Sequence, residues 1–262
     1  MNDTTGNGGG GTAKSPSREA FVAPRPRRFY REAALSIADG GFAVALDGRT
    51  AKTPGKRPLS VPTRALAAAI AAEWQAQGNE IHAETMPLTR LANTVIDGVA
   101  SAEQAVRDDI VAFCGSDLVC YRAGAPHGLV EVQGLHWDPV LAWARAALGA
   151  SFLTSAGIMH VAQPQAAVDA VARALAPLDA WRLTALHQIT TLTGSALIAL
   201  AHMSGTLSLE AAWQAAHVDE DWQISQWGED AEAKARRMLR WQDMQAAGRL
   251  LDLIADVGET PD

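Results

Sequence analysis

The residues with chemical potential in this chain fall into a few groups. Ser195 follows Gly194 and lies between His187 and His202, the types a hydrolase uses as nucleophile and base. All three sit in an apolar helical run, where hydroxyls and imidazoles serve as hydrogen-bonded core groups. No G-x-S-x-G elbow frames the serine. Gly55-Lys56 in TPGKR has the glycine-lysine pair of a phosphate loop, but Thr50 stands where the first glycine belongs and Arg57-Pro58 follow instead of Ser or Thr and a helix. Gly6, Gly8 and Gly11 spell G-x-G-x-x-G without a strand before or a helix after. The seven histidines are scattered, with no H-E-x-x-H pair. Cys114 and Cys120 have neither metal nor C-x-x-C spacing and read as buried free thiols of a reducing compartment. The expectation is no metal, no cofactor and no small-molecule substrate. A hydrolase with an unrecognised His/Asp/Ser site is the second reading.

A different kind of chemistry is legible in HVDEDWQISQWGED. Asp219, Glu220, Asp221, Glu229 and Asp230 surround Trp222 and Trp227. Aromatics rimmed by charge are characteristic of surfaces that recognise another protein. A solvated acidic helix face is the competing explanation. The chain holds eight tryptophans against two tyrosines; Trp74, Trp143, Trp181 and Trp213 read as large apolar anchors of helix packing.

These residues need elements to position them. Asp39-Gly40-Gly41 and Asp47-Gly48 punctuate short apolar runs over 29–53, the pattern of a β-meander, with alternation strongest in Phe42-Ala43-Val44-Ala45-Leu46. Thr63 caps a helix over 63–77 whose Leu66, Ile70 and Trp74 share one face and which Gly78 stops. Further helices are expected over 88–99 and, behind a Ser101/Gln104 capping box, up to 113; a strand follows at 118–122. Asp138-Pro139 opens the next helix, which ends near Gly149. Helices then cover 165–176, 181–192, 195–203, 209–227 and 231–255, with one strand signal at 158–161. The expected fold class is α+β: a small N-terminal β-meander with helices, then an all-helical bundle. The divisions are a tail at 1–26, an α+β domain at 27–124, a helical domain at 125–256 and a tail at 257–262. The Gly/Ser/Thr/Pro-rich N-terminal tail carries no apolar core of a secretory signal and no Arg-rich amphipathic transit helix.

Composition narrows the classes. Hydrophobic content of 48% with 19% charged residues describes a globular chain able to build a core. A formal net charge of -7 opposes nucleic acid as the main partner, because phosphate binding needs a basic footprint. Ala/Leu runs are interrupted by Arg, Asp, His and Gln too often for stable membrane insertion.

Four stretches together, FYREAALSIADGGFAVALDGRTAKTP, LSVPTRALAAAIAAEWQAQ, MPLTRLANTVIDG and WQISQWG, are similar in order and spacing to the assembly chaperones that act on the alpha subunit of F1-ATPase. The resemblance runs from about Arg27 to about Ile254. It implies the same two-part architecture, no catalysis, and a chaperone that holds the unassembled alpha subunit until the beta subunit replaces it. It also implies a family found in mitochondria and related bacteria, of which the N-terminal tail, with no transit helix, favours a bacterial cytoplasmic member. Position by position, it gives Trp74 a packing role and places partner binding at Glu220, Asp221, Trp222, Gln223, Trp227 and Glu229. The family's key carboxylate could be Glu220, Asp221 or Glu229.

Overall fold

The computed structural model describes residues 25–38, 41–157 and 159–255. Residues 1–24 of the expected tail at 1–26, Asp39-Gly40, Ile158 and residues 256–262, which include the expected tail at 257–262, lie outside the described residues. Strand β1 (Ala33–Ala38) pairs antiparallel with β2 (Gly41–Leu46), Ala33 opposite Leu46 and Ala38 opposite Gly41. Asp47 and Gly48 both take positive φ, 49° and 76°. That mirror-image turn matches the right-handed twist of the strands it joins, here β2 and β3 (Arg49–Thr50). Asp47 holds the conformation by accepting from the backbone N–H groups of Arg31 and Glu32 at 3.0 and 2.9 Å. Strand β4 (Ser60–Val61) shares the same edge of β2, so β2 is central and Phe42 through Leu46 are all buried.

Thr63 caps α1 (Arg64–Gln75) by accepting from the Leu66 N–H. Leu66, Ala67, Ile70 and Ala71 of this helix are buried. Its end differs from expectation: the cap is Ala76 in right-handed geometry, and Gly78 has no left-handed φ. The Glu73 carboxylate accepts from the N–H groups of Leu88 and Thr89 and from the Thr89 hydroxyl. One helix thereby satisfies the orphan donors at the start of the next, α2 (Pro87–Asp97). The Ser101/Gln104 box does not form. Ser101 donates to the Gly98 carbonyl, Gln104 donates to Asp108, and α3 (Glu103–Cys114) starts from Ala102 without a side-chain cap. The strand expected at 118–122 shortens to β5 (Tyr121–Arg122), because Asp117 caps a 3-10 turn over Leu118–Cys120. Its parallel partner is β6 (Ser155–Ala156), a few residues before the 158–161 signal, none of whose described residues is in a strand.

Helix α4 (His127–Trp143) begins well before Asp138-Pro139, the pair expected to open it. Asp138 is not free to cap, since its carboxylate meets Arg122 at 2.9 Å, and the helix runs on through Pro139. A π-helical segment (Ala144–Leu148) carries the chain to Gly149, whose φ of 67° stops the helix. Then come α5 (Gln165–Leu175), α6 (Ala180–Thr193), α7 (Ala196–Met203), α8 (Leu209–Ala216), α9 (Val218–Trp227) and α10 (Ala231–Ala255). Asp179, Ser195 and Ser208 cap α6, α7 and α8 with side-chain oxygens. The single helix expected at 209–227 is broken at His217, whose φ of -116° and ψ of 18° leave the helical region.

Two hydrophobic cores result, and the α+β architecture is the sum of them. One lies under the sheet, α1 and α2, and takes in Ala185 of α6 and Leu250 and Ile254 of α10. The other packs α3 to α8 and takes in Val95 of α2 and Met244 and Ala247 of α10. Trp137 is fully buried in it, its indole N–H donating to the Ala215 carbonyl at 2.6 Å. Asp117 is buried without exposure and accepts from the N–H groups of Leu197 and Val119 and from Ser195. Burial pushes its carboxyl up to about 6, and these donors limit the rise. Cys114 and Cys120 are free and buried; burial raises both thiols, Cys120 to about 12.

Candidate partner-binding site

The acidic-aromatic segment forms the turn of a helical hairpin, α9 folding back through Gly228 onto α10. Its start is set by His217. The imidazole Nδ1 bonds the Trp213 carbonyl at 2.8 Å and the ring stacks on Trp213 with centroids 3.8 Å apart. The break in the backbone lets three carboxylates, Asp219, Glu220 and Asp221, occupy the first turn of α9, where the helix dipole favours them. At the other end Gly228 takes a φ of 86°, and Asp230 accepts from the Ala233 N–H to cap α10.

Four of the five carboxylates are engaged within the molecule. Asp219 accepts from Gln133 of α4 at 2.6 Å. Asp221 pairs with Arg237 of α10, which is mostly buried, and this pairing raises the guanidinium pKa further. Glu229 pairs with Lys234 at 2.9 Å, and Asp230 is the cap. Glu220 alone has no partner of this kind among the described residues. Its nearest cationic candidate is His217 Nε2 at 3.9 Å. Burial pushes that imidazole below its ordinary pKa, with Arg237 and Arg240 adding to the effect, so it is neutral near pH 7. His217 Nε2 is itself buried without a hydrogen-bond partner.

The six residues read from the sequence divide between two concavities beside α9. Glu220, Gln223, Trp227 and Glu229 line a shallow concavity of about 280 Å³ together with Lys234 and Arg237. Asp221 and Trp222 line a neighbouring one of about 350 Å³ towards α4. Trp222 packs on Gly128, where an added Cβ would lie 2.6 Å from its ring. Trp227 projects into solvent at 88% exposure. Met238 and Leu239 of α10 are also exposed, Leu239 lining a separate cavity against α2. Those two, with Arg237 and Lys234, were missed in the sequence; nothing in the local spacing of AEAKARRMLRW reveals which face the hairpin leaves open. Trp74 lies elsewhere, on α1, stacked edge-on against Tyr30 with its indole nitrogen lacking a partner.

The hydrolase residues are not brought together as a site. Ser195 is fully buried and accepts from the Ile198 N–H, His187 pairs with Asp109, and His202 contacts the Leu207 carbonyl at 3.0 Å. The Gly55-Lys56 loop closes on protein: the Gly55 N–H donates to Asp97 at 2.7 Å. Among the described residues no three His, Cys, Asp or Glu side chains are grouped to hold a metal. No described helix is long and apolar enough to cross a membrane.

The family model described as ATP12 chaperone protein matches residues 27–145. The crystal structure of Atp12 from Paracoccus denitrificans superposes with a TM-score of 0.83 at 40% identity, covering 87% of this chain and 98% of that one. This chain belongs to the ATP12 chaperone family. Within the family's reach, the Agrobacterium tumefaciens protein Atu1473 has a TM-score of 0.84 at 48% identity over 87% of this chain and 86% of its own. The mitochondrial protein atp12 of Schizosaccharomyces pombe is 27% identical over 79% of this chain and 77% of its own length. The family model stops at residue 145, before α9, whereas the structural matches extend into the helical half.

Proposed function

We propose that this chain is a non-catalytic assembly factor that binds the unassembled alpha subunit of F1-ATPase through the α9–α10 hairpin and yields it to the beta subunit. Family membership supports the chaperone class and the F1-ATPase connection. The observation that carries the site is Trp227, 88% exposed beside Gly228 and sharing its concavity with Glu220, the one carboxylate of the segment left without an intramolecular partner among the described residues. A large ring held in water next to a carboxylate with no direct ion pair among the described residues, and only Arg237 in its field, is a poor arrangement for stability alone. It suits an anchor that is buried on association, where a tryptophan contributes about 2 kcal/mol or more. Gln223 and Glu229 flank it as polar rim; Asp221 and Trp222 hold α9 to its neighbours. The bacterial cytoplasm is the compartment this reading assigns, and no nucleic acid, small-molecule substrate or membrane insertion is involved.

The chaperone logic is physical. A free subunit exposes surface that its neighbour will cover, and such surface aggregates. Covering about 800 Å² per partner gives specific binding that a tighter, larger contact with beta can displace. The test is light scattering of refolding alpha subunit with wild-type protein, Trp227→Ala and Glu220→Lys, alongside thermal melts. Suppression by wild type, loss in both variants at unchanged melting temperature, and release on adding beta are expected. Full suppression by both variants would move the interface off the hairpin, and no suppression by wild type would end the chaperone reading.

A further inference from the structure

Another concave surface lies in the sheet-bearing part of the molecule, in a groove of about 590 Å³ between the segment before β1, the β2–β3 turn and the end of α1. We infer that this groove is a docking site for an extended acidic peptide segment with one apolar anchor. Its floor and rim are an aromatic ladder: Phe29 stacks edge-on against Tyr30 with centroids 5.3 Å apart, and Tyr30 against Trp74 at 5.6 Å. Phe29 is 72% exposed although the chain on both sides of it is pinned. The Arg28 guanidinium donates to the carbonyls of Tyr30, Arg31, Gln75 and Gln77, the Arg28 N–H donates to the Asn79 carbonyl, and the Tyr30 hydroxyl donates to the Trp74 carbonyl. The backbone that carries the phenyl ring is therefore held in place by this set of bonds. A preformed apolar groove of this size loses little on binding, because its backbone is already ordered.

Charge selects the occupant. Arg49 and Lys52 line the groove and have no carboxylate partner among the described residues. The one acid lining it, Asp47, is committed to the N–H groups of Arg31 and Glu32. Two unpaired cations beside a stacked aromatic floor match carboxylates flanking a Leu- or Trp-like side chain, and repel a basic segment. This differs from the α9–α10 hairpin, whose own carboxylates demand the opposite sign in a partner.

Calorimetric titration of the full chain with the blocked peptide acetyl-Glu-Asp-Leu-Glu-Asp-amide, against acetyl-Lys-Lys-Leu-Lys-Lys-amide, tests the assignment without requiring any F1 subunit. The acidic peptide is expected to bind and the basic one not. The double variant Arg49→Glu/Lys52→Glu should weaken the acidic peptide by about tenfold or more. Phe29→Ala should weaken it about threefold or more with an unchanged melt. Equal behaviour of the two peptides, absence of binding up to about 1 mM, or binding that survives the double variant would each overturn it. A groove that takes the acidic peptide while Trp227→Ala and Glu220→Lys both leave alpha-subunit binding intact would uphold this inference and defeat the hairpin assignment.

Discussion

At the scale of residues, two carboxylates with opposite pKa displacements give this protein two distinguishable responses to acid. Asp97, the last residue of α2, accepts from the Thr53 hydroxyl at 2.6 Å and from the Gly55 N–H, with Arg57 nearby, and these hold its pKa below the usual range. A depressed carboxylate stabilises the fold above its unfolded pKa and loses that contribution as pH falls through the folded value. The melting-temperature gap between wild type and Asp97→Asn should thus be open at neutral pH and close in acid; a gap independent of pH would deny the bond its role. Asp117 works the other way. Its carboxyl is raised from 3.8 to about 6, so the native state keeps a proton that the unfolded chain gives up. Stability attributable to it falls as pH rises from about 4 to about 6, by about 3 kcal/mol at most, and is flat above. Denaturant titrations of wild type and Asp117→Asn at pH 4, 5 and 7 would read that slope as a narrowing advantage of wild type. Gly55 has a steric role as well. A Cβ there would lie 2.5 Å from the Asp97 carboxylate, so Gly55→Ala should displace the loop and reproduce part of the Asp97→Asn effect.

At the scale of elements, caps and turns were legible in part: the Ser101/Gln104 box does not form and Gly78 does not stop α1. Thr63, Asp47-Gly48 and Gly149 each act within a few residues of themselves, and each is found where its type predicts. The break at His217 was not legible. HVDEDW contains no glycine or proline, and the helix is interrupted by an imidazole that bonds Trp213 and by carboxylates whose partners come from α4 and α10. Asp138-Pro139 misled for the same reason: the aspartate was claimed by Arg122, a residue far from it in any local window. The candidate site was legible as a composition and not as a geometry. Which carboxylate stays unpaired depends on Gln133, Lys234 and Arg237, and no spacing rule connects them to it. The contact between Trp222 and Gly128 suggests a test of α9 as a unit. Gly128→Ala would force the indole aside and tilt the helix, because the clash is with a ring wedged against α4. Alpha-subunit binding is expected to drop by more than the melt would account for; unchanged binding would mean that the pose of α9 is irrelevant to recognition.

At the scale of the whole molecule, α6 and α10 belong to both cores, and the Thr63 hydroxyl reaches across the chain to the Leu253 carbonyl at 2.7 Å. Truncation after Asp243 removes Met244, Ala246, Ala247, Leu250 and Ile254, all buried. Since large-to-small changes at single buried sites already cost about 2–5 kcal/mol, the truncated chain should lose its cooperative transition altogether. Retention of a sharp calorimetric peak would reveal that one core stands without this helix. The buried thiols turn the same architecture into a clock. Cys114 and Cys120 sit at 0% and 1% exposure, with ionisation suppressed by burial, so an alkylating reagent in the buffer is blind to the closed molecule. Every adduct then records one excursion in which the α3 end of the helical core parted. Counting masses of 0, 1 and 2 adducts over hours measures how often the free chaperone breathes, and whether a bound client stills it.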